Sequence, residues 1–82
     1  MKQLEALGYS TCRAAASLGE WDVIAVGEDD VRLVQVKCNR RPGSEEMTRL
    51  RAFRAPENCS REVWVYKDGK PREPIIEILR DQ

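Results

Sequence analysis

The chain has 82 residues, with 14 Lys+Arg against 14 Asp+Glu, three Cys and no His. That length predicts a single domain spanning 1–82, and domains of this size bury only about two-thirds of their unfolded surface, which favours an oligomer. A composition 41% hydrophobic and 34% charged is that of a folded globular chain. The absence of His excludes Ser-His-Asp and Cys-His catalysis and His-ligated zinc, and zero net charge argues against coating nucleic acid by bulk charge.

Cys12, Cys38 and Cys59 are odd in number and form no C-x-x-C pair. They read as buried or idle thiols of a reducing compartment rather than as a disulfide framework or a zinc site. The first residues carry no apolar run of signal-peptide length, and no stretch reaches membrane-span length, so a cytoplasmic location is expected.

In chain order, Lys2 to Leu7 are helix formers with Leu4 and Leu7 on one face, stopped by Gly8. Tyr9, Thr11 and Cys12 suit a strand leading into the loop Ser17-Leu18-Gly19. Trp21–Val26 and Val31–Lys37 are rich in β-branched residues and flank the turn composition Gly27-Glu28-Asp29-Asp30, which predicts an antiparallel hairpin. Apolar residues on both faces of each strand predict central strands covered on both sides.

Pro42-Gly43-Ser44 breaks the chain, and Ser44 is positioned to cap a helix. Glu45 and Glu46 suit the helix dipole in its first turn, Met47, Leu50 and Phe53 form its apolar stripe, and Pro56 ends it. A strand over Glu62–Tyr66, the Asp68-Gly69 turn and an edge strand over Pro74–Leu79 complete the chain. The order of helix, three strands, helix and two strands predicts an α+β or α/β/α sandwich around a mixed central sheet flanked by helices.

If the hairpin turns on Glu28-Asp29, Val26 pairs with Val31. Asp22 then lies opposite Gln35 and Glu20 opposite Lys37, with Gln35 and Lys37 on one face by the period-two alternation. A carboxylate, an amide oxygen and an ammonium thus converge at one end of the hairpin. Mg²⁺ takes oxygen ligands and keeps several waters, so Asp22, Gln35 and the backbone carbonyl of Val36 form a candidate metal site, with Lys37 placed to orient a water or stabilise a phosphate. The alternative on spacing alone is that Asp22 caps a strand end, Gln35 bonds a neighbour and Lys37 snorkels.

The series Gly8-Tyr9, Arg13-x-x-x-Ser17-x-Gly19, Asp22-Val-Ile-Ala and Leu-Val-Gln35-Val-Lys37 resembles the Holliday junction resolvase-like branch of the PD-(D/E)xK nuclease superfamily. The likeness runs from about Leu4 to Lys37 and continues more loosely through the helix and the Glu62-Val-Trp-Val strand. It implies an α/β, restriction-endonuclease-like αβββαβ core. It also implies a Mg²⁺- or Mn²⁺-dependent endonuclease acting on branched, single-stranded or duplex DNA, as a homodimer. Asp22 and Gln35 would hold the metal, Lys37 would assist the water, Ser17 would lie near the centre, and Arg13 would be a basic residue of the first strand. Gln35 stands where the family carries Asp or Glu, and only seven residues precede Gly8, so Glu5 and Glu20 are the candidates for the missing charge. The rival reading is a non-catalytic nucleic-acid-binding or assembly module on the same fold.

From Lys37 to Arg54, six cations face two carboxylates. Arg40, Arg41, Arg49, Arg51 and Arg54 are accordingly candidate phosphate contacts. Trp21 and Trp64 read as core or dimer-interface residues.

Overall fold

The computed structural model describes residues 2–13 and 20–79, at 71 and 72 the backbone only. The elements are α1 (Lys2–Ala6), β1 (Ser10–Arg13), β2 (Val23–Val26), β3 (Val31–Cys38), α2 (Ser44–Ala52), β4 (Cys59–Lys67) and β5 (Lys70–Leu79). All five strands join one sheet in the order β1-β2-β3-β4-β5. Neighbouring strands are antiparallel except β3 and β4. A parallel pair cannot be closed by a tight turn, and here the crossover carries α2.

Apolar residues on both faces of β3 and β4 feed two cores, one on each side of the sheet. Under α2, Trp21, Leu33, Met47, Leu50, Val63, Val65 and Leu79 pack together. On the other face Leu4 of α1 joins Val23, Ala25, Val34 and Trp64. The expected architecture is therefore present: an α/β fold with a mixed central sheet flanked by helices. Both tryptophans belong to the core, and Trp21 meets Phe53 edge-on at a centroid distance of 5.6 Å.

Several local expectations need correction. Ser44 does not cap α2: Gly43 is the N-cap, no side chain bonds to the cap, and the Ser44 carbonyl accepts a bond from Thr48. Cys12 and Cys38 are exposed and Cys59 half-buried, all three as free thiols. β5 begins at Lys70, four residues before the expected Pro74, because the Asp68-Gly69 turn pairs Lys67 with Lys70, Gly69 taking φ of 82°. Among the described residues, no helix is long and apolar enough to cross a membrane.

Candidate functional site

The hairpin register is the one that the turn predicts. Val26 pairs with Val31 and Val23 with Val34, so the ladder leads toward Asp22 opposite Gln35. Asp22 lies one residue before β2. Its N–H donates to the Val34 carbonyl at 2.9 Å, and one carboxylate oxygen accepts from the Val36 N–H at 2.8 Å. These bonds hold an exposed carboxylate at the open end of the hairpin, where the strand would otherwise fray. Val36 thus meets Asp22 through its N–H.

Gln35 and Lys37 emerge from β3 on the face covered by α2. Gln35 is only 7% exposed. Its Nε2 donates to Glu46 Oε2 at 2.5 Å, and Lys37 Nζ lies 2.9 Å from Glu46 Oε1. Each oxygen of Glu46 thus serves one residue of β3. The bond from Lys37 holds the Glu46 carboxyl below the ordinary carboxylate range, against the opposing effect of burial and with help from Gln35. Gln35 Oε1, in contrast, is buried without a hydrogen-bond partner. Leaving a buried amide oxygen unpaired costs about 1–3 kcal/mol, so this oxygen is a vacant acceptor in a site rich in polar groups.

Glu46 was not among the candidates that the sequence suggests, yet a signal for it exists. It precedes Leu50 by four residues and Phe53 by seven, which places it on the inward stripe of α2. Reading Glu45 and Glu46 together as dipole partners hides the difference between an outward and an inward carboxylate.

Glu20 does not face Lys37, as the extended register would have it. It pairs with Arg49 of α2 at 3.2 Å, because the chain turns Trp21 into the core and leaves the ladder before residue 20. Glu5 sits over β1, where it accepts from Thr11 Oγ1 at 2.9 Å. Ser17 lies outside the described residues.

Asn39 shapes the basic loop after β3. It occupies the left-handed region with φ of 69°, which Asn tolerates better than most residues. Its N–H donates to the Tyr66 carbonyl, its carbonyl accepts from Lys67, and its side-chain oxygen accepts from the Asp68 N–H. The loop is thereby tied to the β4–β5 turn, and an open cleft forms between Lys37, Cys38, Arg40, Arg41, Gly43 and Glu46. Arg41 makes a two-pronged contact with Glu77 of β5 at 2.9 and 3.0 Å, and Arg51 lies 3.5 Å from the same carboxylate. Arg13, Arg40 and Arg54 are exposed. The expected basic flank is thus partly neutralised by Glu20 and Glu77, though exposed pairs of this kind are worth only about 0–1 kcal/mol.

The far face of the sheet carries a second polar group. Glu62 of β4 is only 1% exposed, and accepts from Ser60 Oγ at 2.6 Å and Trp64 Nε1 at 2.8 Å, with Arg32 Nε at 3.6 Å. Arg32 stacks over the Tyr9 ring, and Tyr9 donates to Asp30 at 2.7 Å. This network stands behind the sheet from Gln35, Lys37 and Glu46.

The oxygen donors near the hairpin end are few. Among the described residues no three His, Cys, Asp or Glu side chains cluster as a metal cage. Mg²⁺, however, is commonly held by one or two carboxylates with several waters. By chemistry, the exposed carboxylate of Asp22 and the unpartnered Oε1 of Gln35 are the kinds of donor that would suit such an ion.

No family model matches the sequence, and no curated protein does. A solved structure does match the fold: Hjc, a Holliday junction resolvase from the archaeal hyperthermophile Archaeoglobus fulgidus, with a TM-score of 0.69 and 16% identity, over 93% of this chain and 69% of that one. The chain shares the fold of that structure. At this identity the likeness concerns architecture, and function has to be argued from the site itself.

Proposed function

We propose that this protein is a metal-dependent DNA endonuclease-like protein that hydrolyses phosphodiester bonds with a preference for DNA structure, and that it works as a homodimer. The observation that supports the reading is the β2–β3 register, which carries Asp22 to the stretch of β3 that bears Gln35 and Lys37, its carboxylate accepting from the Val36 N–H between them. The resolvase-like fold supports it.

A Mg²⁺ or Mn²⁺ ion held by Asp22 and Gln35 would supply Lewis-acid activation and charge neutralisation. Lys37 is the residue placed to hold a proton-bearing group against a phosphate oxygen, once its ammonium exchanges Glu46 for the substrate. Arg40 and Arg41 line the adjoining cleft, and Arg13, Arg49, Arg51 and Arg54 extend the phosphate contacts along β1 and α2. Two copies related by symmetry would present two such sites to a branched substrate.

Cleavage of four-way junction, single-stranded and duplex DNA with and without Mn²⁺ tests this. The expected outcome is metal-dependent cleavage by the wild type that is lost in both Asp22→Ala and Lys37→Ala. Unchanged cleavage in both variants would remove the site assignment. The second reading, a DNA-binding module without catalysis, is favoured by the neutral amide of Gln35 in place of a carboxylate. Binding of DNA with no cleavage on any substrate would decide for it.

A further inference from the structure

We infer that Glu46, reaching down from α2, supplies the second carboxylate of the metal site, in place of the acid that β3 lacks at Gln35. The inference rests on the metal-binding reading above and deepens it by assigning a ligand.

The argument begins with the orphaned oxygen. Gln35 is more than nine-tenths buried, and its amide is oriented by its own chemistry. Nε2 must face Glu46, because the opposite orientation would set the amide oxygen against a carboxylate oxygen 2.5 Å away. Oε1 is therefore left as an acceptor with no donor. A buried acceptor beside a carboxylate is complementary to a cation. Among the described residues the other buried side-chain polar atom without a partner is Trp21 Nε1, a donor, which offers nothing to a cation.

The second step concerns charge. A Mg²⁺-sized ion bound by Asp22 and one neutral amide would have a single protein charge opposing it. Glu46 adds another and is already in contact with the Gln35 carboxamide. In the structure it is held by Lys37 at 2.9 Å. Both side chains are partly exposed, and ion pairs of that kind are weak, so a cation can displace the ammonium. That displacement frees Lys37 toward the cleft it lines with Arg40 and Arg41. One residue on, Met47 is buried, so Glu46 is presented by a fixed backbone.

Mn²⁺ binding to the full chain, measured by isothermal titration calorimetry and by electron paramagnetic resonance without DNA, tests the assignment. Glu46→Gln and Asp22→Asn are each expected to weaken Mn²⁺ binding tenfold or more, and Gln35→Glu to tighten it. Glu45→Gln, on the exposed side of the same turn, is expected to bind as the wild type does. Lys37→Met removes the ion pair but keeps the carboxylate, and is expected to bind Mn²⁺ at least as tightly as the wild type. Wild-type affinity in Glu46→Gln alongside loss in Asp22→Asn would overturn the role of Glu46 and leave the metal reading standing. Equal weakening in Lys37→Met and Glu46→Gln would also overturn it, since the ion pair and not the ligand would then matter. No Mn²⁺ binding by the folded wild type would overturn the metal reading itself, and this assignment with it.

Discussion

Replacing Glu62 perturbs the most deeply buried carboxylate of the described residues, and the cost can be worked out from its partners. The indole N–H of Trp64 can only donate, and so can Arg32, whereas the Ser60 hydroxyl can turn to accept. Glu62→Gln must therefore aim its oxygen at Trp64 and its NH₂ at Ser60, losing the attraction to Arg32 at 3.6 Å and the charge assistance of two short bonds. The expected cost is about 1–2 kcal/mol. Glu62→Leu leaves the buried Trp64 N–H without its acceptor, at about 1–3 kcal/mol, in addition to the lost attraction to Arg32, which keeps its bond to Tyr9 Oη at 3.2 Å. Arg32→Met and Glu62→Leu remove the two sides of one charge pair, so the double variant should be more stable than the sum of the two single costs implies, by at least about 0.5–1 kcal/mol. Urea unfolding at fixed protein concentration, followed by tryptophan fluorescence, gives the stabilities of the wild type and the four variants. Two results would refute the reasoning: Glu62→Gln as costly as Glu62→Leu, or single costs that add to within about 0.5 kcal/mol, as they do for independent sites.

Leu50→Ala opens a cavity where α2 meets the sheet, at a residue with no exposed surface, and is expected to cost about 2–5 kcal/mol; chemical denaturation reads it directly. Tyr9 donates to Asp30, and this bond, with burial, raises its phenolic pKa. The unfolded chain therefore loses the Tyr9 proton first, so the stability from this bond is intact below about pH 10 and declines above it. Tyr9→Phe should flatten the alkaline fall in melting temperature, leaving the part due to Tyr66, whose pKa is raised by burial. Glu77→Gln should change stability by no more than about 1 kcal/mol while freeing Arg41 and Arg51. Fluorescence anisotropy should then report tighter DNA binding at about 50 mM salt and a steeper salt dependence, by up to about two units of slope.

The parts of this molecule governed by short-range rules were readable in its residues. The turn between Val26 and Val31 sets the hairpin register, and that register carries Asp22 to Gln35 without any tertiary information. The stripe of Met47, Leu50 and Phe53 places α2 on the sheet for the same reason. Glu20 went astray because strand alternation was extended past the point where Trp21 leaves the ladder for the core. Glu46 was missed because its partners, Lys37 and Gln35, lie across a crossover, and only the packing of α2 onto β3 selects it over Glu45. Glu62 had a local clue in Trp64 two residues on, since a buried indole on the same strand face needs an acceptor. Its third partner, Arg32, comes from the neighbouring parallel strand, which no local pattern announces.

Arg61 gives the molecule one further property. Its guanidinium, buried in β4, donates to the carbonyls of Arg51 and Phe53 at 2.6 and 2.9 Å. The C-terminal end of α2 is thereby riveted to the strand beneath it, while its first turn has no side-chain cap. Buried Met47 holds the other end to the core, so α2 is pinned like a beam at both supports. An arriving charge would then be met by rotation of the Glu46 side chain alone, with the backbone beneath it and the core under Leu50 staying where they are.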